Sequence, residues 1–272
     1  MNPLNFDLLK IDASLMPLLF LGHGNPMYAI QENLFTKEFK SIGINIPKPK
    51  VILCISAHWY IKGSKVTAMD FPKTIHDFGG FPEALFQVQY PAPGSPALAK
   101  EVVELLNPVN VALDYDWGLD HGTWSVIKHL YPEADIPVVQ LSIDYSQPAL
   151  FHFELANKLR SLREKGVLIV GSGNIIHNLR AVDYRNMDQI DYGYEWAQEA
   201  HEEINKLLLT RQFEKLVDYQ KLSDGVQKAI PTPDHYLPLL YVLGIVEDND
   251  TMTLFNDRLV GGSLSMTSIL IH

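Results

Sequence analysis

The feature that most constrains this chain is a series of short, mainly apolar runs, each bounded by Gly, Pro or polar turn residues. Residues 18–21 (Leu-Leu-Phe-Leu), 51–57, 137–143 and 167–170 are such runs. Each is too short for a buried helix and rich in β-branched or leucine side chains, the pattern of a strand covered on both faces. Strands covered on both faces belong to sheets whose crossovers are helical. Helices are predicted between them: 33–41; 96–106, with Ser95 as its cap and Pro96 in its first turn; 123–130, stopped by Tyr131-Pro132; and 148–164, ended by Gly166. A polar helical outer layer is expected over 188–219, and a helix over 232–243 started by Thr232-Pro233-Asp234. Strands at 252–255 and 263–271 close the chain. The alternation predicts an α/β fold with a central mixed, mainly parallel sheet and helices on both faces. With no repeat, low-complexity linker or composition break, residues 1–272 are expected to form a single domain. At 47% hydrophobic residues, a chain of this length can bury a substantial core.

Charge narrows the function classes. Lys and Arg number 22 against 32 Asp and Glu, a formal net charge of −10. That balance argues against a nucleic-acid or anionic-membrane binder, whose affinity comes from basic residues. No run approaches the roughly 20 apolar residues of a membrane span. Residues 2–14 carry two acids and one Lys, and 15–21 is short and holds Pro17, so no secretory signal is expected. The single cysteine, Cys54, lies in a predicted strand, which fits a reducing, cytoplasmic location. Nothing in the sequence sets the oligomeric state.

The histidines carry the chemistry. His23 follows the first apolar run, His58 the second, and His177 the run 167–170 with its Gly171-Ser172-Gly173-Asn174 turn. In α/β sheets, ligands gather beyond the carboxyl ends of the strands. One histidine there is ordinary; three imply imidazoles converging on one ion. His121 precedes a predicted helix and His235 falls in the first turn of another, where helix capping is the plainer explanation. His129, His152, His201 and His272 lie in helical stretches or at the terminus, and His201, among Glu199, Glu202 and Glu203, reads as part of a solvated face. No local metal motif such as HExxH exists, so the inference rests on topology. Three or four neutral imidazoles suit Zn(II) or Fe(II). Other classes lack their parts. There is no P-loop, Gly171-x-Gly173 lacks a third glycine, Asp77-Phe78-Gly79 lacks every kinase companion, and Cys54 is too buried for a nucleophile. The irregular segments 71–95 and 181–187 stand out, and the first, anchored by Phe78, Phe81 and Phe86, is expected to form one wall of a pocket.

Seven motifs follow in order: Leu21-Gly22-His23-Gly24-Asn25-Pro26-Met27; Ser56-Ala57-His58-Trp59; Thr74-Ile75-His76-Asp77-Phe78-Gly79-Gly80-Phe81-Pro82; Tyr90-Pro91-Ala92-Pro93-Gly94-Ser95-Pro96; Asp120-His121-Gly122-Thr123-Trp124; Gly171-Ser172-Gly173-Asn174 with His177-Asn178-Leu179-Arg180; and Pro233-Asp234-His235-Tyr236-Leu237-Pro238-Leu239. Over about residues 17–268 the chain resembles the 4,5-DOPA extradiol dioxygenases, a branch of the class III, LigB-type ring-cleaving enzymes. The resemblance implies a metal-dependent oxidoreductase that uses O2 to open a catechol such as L-DOPA beside its hydroxyls, by 4,5-cleavage to 4,5-seco-DOPA. It implies one divalent ion, Fe(II) for activity, with Zn(II) as a competing occupant. His23 and His58 match metal-ligand positions; His177 and His235 match positions that bind metal in the DOPA branch; His121 matches an acid/base histidine. The wider class uses two histidines and a carboxylate, and here His235 stands at the carboxylate position. The wider class also reads the His177 position as a catalytic base, so His177 is a candidate for both roles. A substrate carboxylate would fall to His76 or Arg180, the plainer reading of Arg180 being a surface pair with Asp183. Two alternatives remain at this level. One is a non-enzymatic metal-binding or interaction protein on the same scaffold. The other is a zinc-dependent hydrolase using Asp120 or Asp77 beside the metal.

Overall fold

In a computed structural model of the chain, which describes Leu4, Phe6, Leu9, Ile11 and residues 14–187 and 189–272, the apolar runs lie side by side in one sheet. Strand β1 (Leu18–Gly22) shows why they pair there. Leu18 and Phe20 face one hydrophobic core, Leu19 and Leu21 the other. A strand buried on both faces must be central. The remaining strands are β2 (Val51–Ile61), β3 (Ser64–Thr67), β4 (Val111–Asp114), β5 (Val138–Asp144), β6 (Val167–Gly173), β7 (Met252–Phe255), β8 (Leu259–Val260), β9 (Leu264–Ser265) and β10 (Ser268–Ile271). Eight of them form a sheet in the order β4-β3-β5-β2-β6-β1-β10-β7, and β8 and β9 make a separate ribbon. The centre β5-β2-β6-β1 is parallel throughout, and antiparallel pairings occur only toward the flanks. The sheet is mixed and mainly parallel, as predicted.

The helices are α1 (Leu34–Asn45), α2 (Glu83–Phe86), α3 (Pro96–Leu106), α4 (His121–Leu130), α5 (Ala149–Asn157), α6 (Glu195–Leu209), α7 (Phe213–Val217), α8 (Asp224–Ala229) and α9 (Leu237–Ile245). Phe39 and Ile42 of α1 and Trp124 and Ile127 of α4 cover one face of the sheet. The other core is closed by α3 and by α5 to α9. All nine residues of α9 are buried, so it runs through that core and not over its surface.

Several elements depart from the sequence reading, each for a tertiary reason. The short strand β3 and the edge strand β4 lie outside the predicted runs; Ser64-Lys65-Val66-Thr67 carries no buried-strand pattern, and pairing with β5 and β4 is what makes it a strand. The helix expected over 148–164 stops at Asn157, and a 3-10 turn over Arg160–Lys165 follows. That turn sends Arg163 fully inside, where it holds both Asp250 oxygens at 2.7 and 2.8 Å and the Met16 carbonyl at 2.9 Å. The strand expected over 263–271 is two pieces, β9 in the ribbon and β10 in the sheet. His235 is not in a helix; it sits in the turn before α9, closed by the Tyr236 and Leu237 N–H groups on the Pro233 carbonyl. His201 is not on a solvated face but pairs with Asp257 at 2.6 Å. The expectations for residues 2–14 and for position 188 fall mainly or wholly outside the described residues.

Candidate metal centre

His23 directly follows β1, His177 follows β6 after a short turn, and His58 lies within β2 near its carboxyl end. His23 leaves β1 through Gly22, its N–H bonded to the Gly173 carbonyl at the end of β6. His58 lies inside β2, where the register to β5 slips between Ile55 and Tyr60; this irregularity lets the strand turn an imidazole toward its end. His121 opens α4, with Asp120 as the cap accepting from the Thr123 N–H at 3.0 Å. His235 comes from the turn before α9. The turn packs so closely on β6 that a Cβ at Gly173 would lie 2.2 Å from the His235 carbonyl oxygen.

The rings of His23, His58 and His235 form a nearly equilateral triangle, with centroids 5.1, 5.2 and 5.0 Å apart. One ligand atom from each lies within 4.8 Å of the others. The hydrogen bonds around them set the tautomers. Ser172 donates its hydroxyl to the Gly122 carbonyl at 2.5 Å, so at 3.1 Å its oxygen accepts from Nδ1–H of His23. His58 Nδ1 lies 3.3 Å from Asp77 Oδ2, and His235 Nδ1 donates to Asp234 Oδ2. The Nδ1 hydrogen bonds of His23 and His235 leave their Nε2 atoms free to bind an ion, and the Asp77 carboxylate beside His58 Nδ1, a charge contact at 3.3 Å, favours a proton on that nitrogen. The Nε2 atoms of His23 and His58 face each other at 3.4 Å, within hydrogen-bond reach. A divalent ion can take the place of the proton between them, and the all-nitrogen donor set of His23, His58 and His235 fits an ion that takes nitrogen ligands.

Burial, reinforced by the neighbouring imidazoles, holds His23 and His58 well below the ordinary histidine range. Burial and then His235 push His177 down to about 3. These rings are neutral at physiological pH, the state that binds metal. His177 stacks on His235, centroids 3.5 Å apart and planes within 9°, on the outer side of the triangle. His121 lies against His58 at 3.8 Å. Its Nδ1 is 2.9 Å from Asp77 Oδ1, a close charge contact without the alignment of a hydrogen bond. Burial would raise the Asp77 carboxyl, but the His121 ring and N–H outweigh it and hold the group below its usual value. Space here is tight: a Cβ on Gly122 would lie 2.4 Å from Ser56 Oγ and 2.8 Å from His58 Cδ2.

The five imidazoles line a cavity of about 520 Å³ with Gly79, Gly80 and Phe81 of the 71–95 loop, and with Leu179, Tyr184, Met187 and Leu264. A space of this size holds a small aromatic ligand. The catalytic LigB subunit of aromatic ring-opening dioxygenases matches residues 17–264 of this chain. The chain belongs to the LigB family. It is 47% identical to the 4,5-DOPA dioxygenase extradiol of Escherichia coli (strain K12) over the full length of both proteins. It is 36% identical to the enzyme of that name from Beta vulgaris, over 92% of this chain and 94% of the other. A crystal structure of an uncharacterised protein of Escherichia coli K12 superimposes with a TM-score of 0.80 at 44% identity, covering 94% of this chain and all of that one.

Against this LigB-type site the other expected residues fall unevenly. The 71–95 loop does wall the cavity, through the edge-to-face pair Phe78–Phe81 and the packing of Phe78 on Phe86 and Trp124. His76 stays out of the cavity; its Nε2 donates to the Val88 carbonyl at 2.9 Å and its ring packs on Trp124. Arg180 is exposed in a 3-10 turn beside Leu179, and the Asp183 carboxylate is occupied by Asn186 and Tyr192. Among the described residues no Lys or Arg lines the cavity. The sequence reading gave no site role to Ser172, Gly122, Asp234 or the cavity-lining Tyr184 and Met187. The glycines beside His23 and His121 were the available signal, but what they support is visible only across the fold.

Proposed function

We propose that this chain opens the ring of a catechol such as L-DOPA with O2, by extradiol 4,5-cleavage, at a centre where His23, His58 and His235 hold one divalent ion. The observation that carries this reading is the triangle of the His23, His58 and His235 rings, with ligand atoms within 4.8 Å of one another, in a cavity that two further imidazoles and apolar side chains also line. Fe(II) is the working ion and Zn(II) a competitor at the same nitrogens. When bound, the ion supplies Lewis acidity toward the catechol oxygens and a place where substrate and O2 meet.

The residues of the chain do the rest. Phe81, Leu179, Met187 and Leu264 take the aromatic ring and keep water from it. His121, its Nδ1 facing Asp77, has Nε2 free to take a hydroxyl proton and return it as the ring opens. His177, kept neutral by burial, accepts a hydrogen bond from substrate while its stacking braces the His235 ring. The amino-acid head group points to the cavity mouth, where Arg180 stands next to Leu179; His76, committed to Val88, orders the loop instead. The reaction belongs to the reducing cytoplasm, consistent with the one cysteine, and no helix among the described residues is long and apolar enough to cross a membrane.

The test is oxygen uptake with L-DOPA on anaerobically Fe(II)-loaded and Zn(II)-loaded protein, following the yellow ring-opened product. Uptake and product with iron only are expected. No uptake with L-DOPA or simpler catechols, at confirmed iron loading, would overturn the reading in favour of a hydrolase or a binding scaffold.

A further inference from the structure

The 71–95 loop places one carboxylate between two of the five imidazoles. Asp77 Oδ1 accepts from the His121 backbone N–H at 2.9 Å and lies 2.9 Å from His121 Nδ1, while Oδ2 lies 3.3 Å from His58 Nδ1. The residues that follow are the cavity wall: Phe78 packs edge-on to His121 at 5.4 Å, and Gly79, Gly80 and Phe81 line the space. Resting on the reading that His58 helps hold the ion, we infer that Asp77 is a positioning residue that makes the metal centre and the loop one unit. It keeps His58 in the tautomer whose Nε2 is bare, and it pins the aromatic wall beside the cavity. Neither task requires Asp77 to touch the ion or the substrate.

What separates the variants is which partners can reverse their roles. The His121 backbone N–H opens α4 and is a fixed donor, so whatever stands at position 77 must turn an acceptor to it. A carboxylate has a second acceptor left for His58 Nδ1–H. An amide does not. In Asp77→Asn the oxygen is claimed by the N–H of His121, and the NH2 group faces His58 Nδ1. The imidazole answers by moving its proton to Nε2, the atom that must be bare for a metal. Alanine at 77 removes the carboxylate without imposing the wrong tautomer, but it also frees the loop. The two variants should therefore rank in opposite orders in two measurements. Because metal and loop share Asp77, their coupling is reciprocal, and ion binding should in turn order the loop.

The experiment uses Co(II) as the probe, added anaerobically to the metal-free full-length protein, with affinity from chelator competition and ligand field from the visible spectrum. Wild type, His58→Ala, Asp77→Asn and Asp77→Ala are compared, together with hydrogen exchange of amides 71–86. Asp77→Asn is expected to weaken Co(II) binding about 10- to 100-fold, more than Asp77→Ala does. Exchange over 71–86 is expected to stay near wild type in Asp77→Asn and to rise in Asp77→Ala. Co(II) binding within twofold of wild type in both Asp77 variants, with binding lost in His58→Ala, would overturn the role of Asp77 and leave the metal reading intact. Wild-type binding in His58→Ala would strike the metal reading itself. Alanine worse than asparagine in both measurements would reduce Asp77 to a loop anchor and overturn the tautomer role. If Asp77→Ala fails to fold, the near-isosteric Asp77→Asn decides alone, by whether it keeps or loses Co(II).

Discussion

His121 shows how much the function of one side chain depends on what its other nitrogen touches. The ring is 5% exposed and lies 5.9 Å from His23 and 3.8 Å from His58, close enough to serve a bound substrate but outside the triangle of ligand atoms. Acid/base groups so placed contribute to the rate without holding the ion. Replacing His121 by Ala should leave the metal content of iron-loaded protein unchanged while turnover falls about 10²- to 10⁴-fold. Metal analysis beside oxygen-uptake kinetics checks this; wild-type turnover would remove His121 from the proton path, and lost iron would make it a ligand. Asp77 was among the carboxylates considered from the sequence, but as a partner for water. Its neighbours make it a partner for imidazoles.

At the scale of elements, the start of α4 is the most heavily tied point in the site. Asp120 is fully buried and accepts from Ser56 Oγ at 2.7 Å, from the Thr123 N–H at 3.0 Å and from the Gln140 amide. Burial and the nearby Asp77 charge raise its carboxyl, and these donors and His121 oppose that rise. The bonds join α4 to β2 and β5 and so fix the helix that carries His121 against the strand that carries His58. Asp120→Ala removes the cap and strands buried donors on Ser56 and Gln140. The expected cost is about 2–4 kcal/mol, from a lost cap plus unsatisfied buried groups. Urea unfolding of the metal-free protein measures it. A loss below about 1 kcal/mol would mean that the network relaxes around the gap.

For the whole molecule, the histidines make stability depend on pH. Burial is the first cause that lowers His23, His58, His129, His152 and His177, the last two to about 4 and about 3 against an ordinary 6.5. The sign follows from where protons bind. Between pH 6.5 and about 4 the unfolded chain takes up protons that the folded chain refuses, so stability falls as pH falls. Above about 7.5 the histidine contribution is complete and flat. Aspartates with lowered carboxyls, such as Asp77 and Asp250, add their loss only below about 4. Urea midpoints of metal-free protein should therefore drop between pH 7.5 and 5. The drop should shrink in His152→Gln, which removes a buried ring bonded to the Tyr241 hydroxyl and remote from the metal candidates. Equal midpoints at the two pH values would contradict the neutral-histidine account.

Local pattern was enough to read the central strands, their burial on both faces and the histidines at their ends, because strand period and turn residues act over a few neighbours. The apolar run of β1 with Gly22-His23, and that of β6 with its Gly-Ser-Gly-Asn turn, announce both element and site in one stretch of chain. Pairing partners were not legible. β3, the break after Asn157 and the split of β9 from β10 arise from what lies across the fold. The same division holds in the site. That the histidines at 23, 58, 121, 177 and 235 gather in one place was expected from the chain and its resemblance. That His23, His58 and His235 form the triangle, that His177 stacks behind it and that His76 turns away was not. A bare Nε2 is decided by the group on Nδ1, and Ser172, Asp77 and Asp234 reach those atoms only once the strands, the loop and the turn before α9 have packed together.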